Sequence, residues 1–129
     1  MRLSIDVRDL AICRLDAKEK APEWTSQEHK FLSLTRTSDE LSVVCTADGV
    51  PPGVRREQGW AAIRIEGPLD FSLSGVLSSL LTPLAESNIS VFVISTFDTD
   101  YIMVREAVLQ KAKEALERRG HVFVEFAFF

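Results

Sequence analysis

What this sequence lacks narrows its function before any motif is considered. Cysteine is scarce: Cys13 and Cys45 are the two present, with no CxxC spacing. Each lies within an apolar, strand-like run, so they read as buried structural thiols, with a disulfide or a metal pair as the minor alternative. Histidine is as scarce. His29 and His121 lie far apart without metal-ligand spacing and read as solvated or hydrogen-bonded side chains. A basic surplus is missing, since the net charge of −4 and the pI near 5.2 oppose binding to a nucleic-acid backbone. No apolar run approaches the length of a membrane span, and Arg2, Asp6, Arg8 and Asp9 interrupt the opening residues, which reads as a cytoplasmic chain. Ser90 and Ser95 lack a nucleophile-elbow pattern, and there is no Gly-rich loop. The expectation is a chain without catalytic residue, metal or cofactor.

What is present is ordinary globular material. The 129 residues are 46% hydrophobic and 26% charged, enough for a real core in one domain or two very small ones. The most telling stretch runs Ile89-Ser90-Val91-Phe92-Val93-Ile94-Ser95-Thr96-Phe97-Asp98-Thr99-Asp100-Tyr101. Its first part is apolar at odd and even positions alike, the pattern of a central strand covered on both faces. Ile89, Val91 and Val93 point one way, Phe92 and Ile94 the other. From Ser95 onward, hydroxyls, one aromatic ring and two carboxylates stand at the strand end. Polar groups on a rigid support facing solvent are the usual geometry of a small-ligand site.

The rest builds around that strand. Leu3, Ile5 and Val7 alternate with polar residues and the apolar signal continues to Leu15, one long strand or two joined by a bulge. Pro22 leaves room for at most a helical turn near Trp24. Phe31 to Leu34 and Leu41 to Cys45 are short strands, joined by a Thr37-Ser38-Asp39-Glu40 turn. Pro51-Pro52-Gly53 breaks the chain, and Trp60 to Ile65 is a strand ended by Gly67-Pro68. Leu73, Val76, Leu77, Leu80, Leu81 and Leu84 form one helical stripe, with Ser72 or Ser74 as its cap and Pro83 bending or ending it. Tyr101 to Val104 is a strand. Val104, Val108, Ala112, Ala115 and Leu116 form a second stripe, with Glu114 and Arg118 spaced as an i,i+4 pair and Gly120 as the closing residue. The Phe-rich run His121 to Phe128 is the last strand.

Residues 60–128 therefore follow the order of the α+β, ferredoxin-like βαββαβ unit, an antiparallel sheet with both helices on one face. The first half repeats that order in stunted form, and Thr35 and Asp39 share the spacing of Thr96 and Asp100. Two tandem units are expected: a degenerate one over 1–58 and a complete one over 59–129.

The run Leu84 to Glu106, together with Phe71-Ser72-Leu73-Ser74-Gly75-Val76-Leu77 and Leu41-Ser42-Val43-Val44-Cys45, resembles ACT domains. The nearest branch holds small bacterial tandem-ACT proteins and the CASTOR-type arginine sensors, and aspartate-kinase-type ACT domains are also similar. The resemblance is long over 60–121 and weak over 1–58. It implies a non-catalytic, amino-acid-binding regulatory module working as a homodimer, with the ligand between ACT units and a basic amino acid first. Any regulation would act on a separate protein, as 129 residues leave no room for an enzyme. By position, the family's contacts fall on Ser72, Ser74 and Gly75, on Thr96, Phe97 and Asp100, and on Ser90 and Val91 presented by a neighbouring unit.

The residues support the first two groups independently. A helix start offers unpaired N–H groups to a carboxylate. Gly75 allows close approach, Asp98 or Asp100 offers charge to a cation, and Phe97 suits an aliphatic stem. Plainer readings make the serines helix caps, Asp98 a turn former and Phe97 a core side chain. The alternative function is an interaction subunit whose ligand site is lost. Asp98 and Asp100 as an acid–base pair, or a ferredoxin-like RNA binder, have less support: no metal or pocket base is visible for the first, and no stacking motif for the second.

Overall fold

Alternating side chains define the two longest strands. In the computed structural model, which describes residues 1–67 and 74–124, β1 (Arg2–Leu15) is one continuous strand. Asp9, in the left-handed region at φ 54, supplies the kink expected of a bulge. Four short strands follow along the chain before and after the helices: β2 (Leu32–Arg36), β3 (Leu41–Thr46), β5 (Phe92–Ser95) and β6 (Asp100–Arg105). β4 (Arg56–Ile65) starts four residues earlier than the sequence pattern suggests. The helices are α1 (Val76–Glu86) and α2 (Leu109–Glu117), and β7 (Val122–Phe123) is short. The continuation of the last strand to Phe128 lies outside the described residues.

The chain divides into two compact units, residues 1–6 with 61–129 and residues 7–60. The division is not a single cut after residue 58, because the opening residues belong with the larger unit. In that unit the strand order is β7-β1-β4-β6-β5. Without β1 this is the fourth, first, third, second order of a ferredoxin-like sheet. β1 is inserted, parallel to β7 through Arg2↔Val122 and Leu3↔Phe123, and bonded to β4 by Glu66 N–H donating to the Arg2 carbonyl at 2.9 Å. One face carries both helices. Leu3, Ile63, Ile65, Ile102 and Val104 from the strands meet Leu80 and Leu84 of α1 and Ala112 and Leu116 of α2, all with no exposed surface.

The smaller unit holds residues 7–15 of β1, β2, β3 and the first half of β4 in the order β2-β3-β1-β4. Two 3-10 turns, Glu23–Ser26 and Ala47–Gly49, stand where helices would follow β1 and β3. Its core is Ala11, Cys13, Leu41, Val43, Cys45 and Val50, with Trp24 packed against it. Both cysteines are free thiols, diagonal neighbours through Ala11↔Cys45 and Cys13↔Val43. Thr37 N–H donates to the Glu40 carbonyl at 2.9 Å, and the Thr37 hydroxyl accepts from the Asp39 and Glu40 amides.

Several expectations need correction. β5 is an edge strand, not a central one: its ladder partner is β6, and Phe92 to Ile94 are half-buried. α1 begins after Gly75, which is left-handed at φ 80, and among the described residues no side chain caps it, so Ser74 is not a cap. Ser72 lies outside the described residues. Pro83 neither ends α1, which runs on to Glu86, nor leaves a carbonyl bare. Its missing N–H would have bonded Ser79 four residues back, and His121 Nε2 reaches that carbonyl instead at 3.2 Å. Val104 belongs to β6, and Glu114 accepts from Gln110 at 3.3 Å. α2 does close at Gly120 (φ 88) in a Schellman pattern, His121 N–H reaching Leu116 and Gly120 N–H reaching Glu117.

His121 is 9% exposed and hydrogen-bonded at both ring nitrogens. A carbonyl only accepts, so Nε2 carries the proton and Nδ1, 3.0 Å from the Met1 nitrogen, accepts. Burial pushes its pKa below the usual 6.5, with the Ser79 carbonyl opposing and the Met1 ammonium adding to the shift. The folded state therefore binds fewer protons here than the unfolded chain, so this contribution is present above pH 6.5 and is lost as pH falls through the folded value. His121→Leu strands the Ser79 carbonyl and is expected to cost about 1–3 kcal/mol in urea unfolding near neutral pH. The variant should also lose part of the wild-type decline in stability between about pH 7 and about pH 5; an unchanged pH profile would refute this assignment.

Candidate ligand site

The turn between β5 and β6 is built from hydroxyls. Thr96 N–H donates to the Thr99 carbonyl at 2.8 Å, and the Thr96 hydroxyl donates to the same oxygen at 3.0 Å. Thr96, not Asp98, thus shapes the turn. The smaller unit closes its β2–β3 hairpin with Thr37 and Glu40, so the matching positions are Thr37 and Thr96; the spacing shared by Thr35 and Asp39 is coincidence.

Thr99 pins the turn to the sheet. It is 4% exposed, and its hydroxyl donates to the Ile65 carbonyl at the end of β4, 2.7 Å away. Sequence reasoning missed this residue, since a threonine between two aspartates carries no sign of burial. Around that anchor the predicted residues divide. Asp100 faces Ser95 across the ladder, and the Ser95 hydroxyl donates to Asp100 Oδ1. Phe97 stands at the tip, 80% exposed, and is not core. Asp98 is exposed beside it.

Ser79, in the first turn of α1, is bonded to His121, whose other ring nitrogen meets Met1 beside the Arg2 carbonyl that accepts from Glu66. The start of α1 therefore lies at the same end of the unit as the close of β4 and the turn. The first helical bond runs from Ser79 N–H to the Gly75 carbonyl at 3.0 Å, which leaves the amides of Val76, Leu77 and Ser78 without intrahelical acceptors. Ser74 and Gly75 are exposed, and a Cβ on Gly75 would meet nothing within 4 Å. Ser90 and Val91 are elsewhere. They precede β5, and the five residue steps from Val91 to Thr96 span roughly 16 Å of extended chain. Within one chain they do not join the turn.

Other reactive groups are quiet. Burial raises both thiol pKa values, that of Cys45 to about 11 with Cys13 and Asp48 adding, so neither is a thiolate near neutral pH. Among the described residues no three His, Cys, Asp or Glu side chains gather as a metal site, and no helix is long and apolar enough to cross a membrane.

A model described as an ACT domain matches residues 55–118. Residues 55–118 belong to the ACT domain family. A second model, of an N-terminal domain, matches residues 9–53. A crystal structure of an Agrobacterium tumefaciens protein is similar with a TM-score of 0.89 and 38% identity, over 99% of this chain and 96% of that one. The regulatory subunit of aspartate kinase from Thermus thermophilus shares the ACT fold, with a TM-score of 0.65 at 9% identity over 91% of this chain and 96% of that one. The human cytosolic arginine sensor for mTORC1 subunit 1 is 39% identical over 107 residues, which is 74% of this chain and 32% of the sensor. The ACT chain thus spans about a third of the length of such curated relatives.

If Thr99 is the anchor of the turn, Thr99→Val, which keeps its shape, should cost about 1–3 kcal/mol by leaving the Ile65 carbonyl unpaired. Amide exchange at Phe97 and Asp98 should quicken in the variant. Exchange as slow as in wild type would show that the turn holds without this bond.

Proposed function

We propose that this chain is a non-catalytic regulatory ACT protein that binds an amino acid between units of a homodimer. The reading rests on two features placed at the same end of the larger unit, a helix start without a described cap and a pinned acidic turn. The free amides of Val76 to Ser78 and the positive end of α1 suit an α-carboxylate, with Ser74 and the bare Cα of Gly75 beside them. Asp100 keeps Oδ2 for a cation while Ser95 orients its other oxygen, and Phe97 offers its face to an aliphatic stem. Thr96 holds the turn. A basic amino acid is the first choice, supported by these carboxylates and by the human relative being named an arginine sensor.

The edge strand β5 supports the dimer. An edge strand apolar on both faces leaves backbone groups and side chains in need of cover, which a two-fold copy supplies. Antiparallel pairing of two β5 edges sets the start of one beside the end of the other. Ser90 and Val91 of a second copy then reach the turn that one chain alone cannot bring them to. The smaller unit, with single 3-10 turns in place of helices, is read as a degenerate ACT-like repeat. We place the protein in the cytoplasm, where the human relative is named as acting, with regulation exerted on a separate protein. Ligand shifts such a partner only through its differential affinity for two arrangements of the units.

Light scattering at micromolar concentration should give twice the chain mass; a monomer would remove the composite site. Calorimetry with arginine, lysine, threonine and leucine should find at least one ligand, arginine or lysine first. Asp100→Asn should weaken it by about 1.5–3 kcal/mol. Leucine at position 75 is a poor probe because φ there is 80, whereas Gly75→Asn tolerates that conformation and should obstruct the site. Binding of none of the four would favour an interaction subunit with its ligand site lost.

A further inference from the structure

The smaller unit contains a half-open surface pocket, with space of about 300 Å³, lined by residues 27–30, Thr46, Asp48 and Gly49, of which Gln27, Glu28, Lys30 and Asp48 are exposed. Strand pairing brings these together. Leu32↔Cys45 sets the segment entering β2 beside the end of β3, and the Ala47–Gly49 turn follows directly from β3. This is the end of the unit opposite its Thr37–Glu40 hairpin turn. The site described above lies at the hairpin-turn end of the other unit, so the two are separate in chain and in topology.

His29 is built into the cavity wall by two independent contacts. Its Nε2 lies 2.7 Å from the Trp24 carbonyl. A carbonyl only accepts, so Nε2 carries the proton and Nδ1 of the neutral ring is left as an acceptor. The ring also rests on Gly49. That glycine is not in the left-handed region, so its backbone suits any residue. A Cβ there would nonetheless stand 2.7 Å from His29 Cε1 and 3.0 Å from Nδ1. Glycine at 49 is explained by room for the imidazole, not by the turn.

We infer that this cavity is a second binding site, for a small zwitterion that carries an ammonium group. Its charged lining is two carboxylates, Glu28 and Asp48, against one ammonium, Lys30. With Nδ1 and the Thr46 hydroxyl, acceptors outnumber donors, which selects a ligand that donates. Lys30 is placed for a carboxylate on the same ligand. A volume near 300 Å³ lies at the small end of ligand pockets and suits a molecule of amino-acid size. The inference does not depend on the other site.

The two histidines of this chain make the test direct. His29 reports on the cavity, and His121, bonded to Ser79 in α1 of the other unit, is the internal reference. Imidazole resonances of the intact protein are followed during titration with ethylammonium, glycine and acetate at millimolar concentration. The His29 ring should shift with glycine and with ethylammonium, and acetate alone should have little effect. Asp48→Asn should weaken the ethylammonium response about tenfold, the scale of one charge-assisted hydrogen bond. Gly49→Ala, which displaces the ring, should abolish it. Movement of neither glycine nor ethylammonium signals at His29, an equal response to acetate, or a response untouched by Asp48→Asn would each overturn the inference. Movement at His121 alone would overturn it too, while leaving the reading of the other site standing.

Discussion

The register of β4 is the constraint on which the larger unit depends. Ala61, Ile63 and Ile65 turn toward the helices with no exposed surface, while Arg64 and Glu66 take the other face. A slip of one residue would carry a guanidinium and a carboxylate into an apolar core, where an unpaired charge costs several kcal/mol. That register also fixes where the Ile65 carbonyl meets Thr99, and from which point the chain sets out toward α1. Both parts of the candidate ligand site therefore inherit their positions from a strand that supplies none of its side chains.

Local periodicity made much of this legible in advance. The spacing of Val76, Leu80 and Leu84 and of Val108, Ala112 and Leu116 marks two helices because a helical face repeats whatever surrounds it. Features set by distant partners did not show. An edge strand apolar on both faces looks the same in sequence as a central one, which is why Phe92 to Ile94 suggested the middle of a sheet. The tolerance of Pro83 depends on a ring from residue 121, and the burial of Thr99 depends on a carbonyl of residue 65. For the candidate site, the residue types at 96–100 were readable from their clustering; the division of labour among them was not, because it is decided by which hydroxyl reaches which carbonyl.

The smaller unit illustrates what happens when connections between strands are not helical. Loop carbonyls then lack the partners a helix would give them, and each must be satisfied some other way. Among the described residues, arginine supplies most of the side-chain donors. Arg56 reaches the Val50, Pro51 and Val54 carbonyls, Arg36 reaches Ala17, and Arg14 reaches Asp39 at 3.0 Å. The fork of donors on a guanidinium suits this task, since one side chain can hold several carbonyls that face different ways. A core this small, centred on Cys13, Val43 and Cys45, leaves such bonds a larger share of the work of holding the loops.

The meeting of Pro83 and His121 over one carbonyl also orders the mutational paths open to the chain. With proline at 83, the imidazole stands in for the missing backbone donor at the Ser79 carbonyl, so change at 121 meets immediate resistance. Any residue with a backbone N–H at 83 would restore the ordinary helical bond and release position 121 to drift. Once 121 has drifted, a return to proline would find the carbonyl deserted. The two positions are therefore coupled in order: the histidine is lost at less cost after the proline than before it.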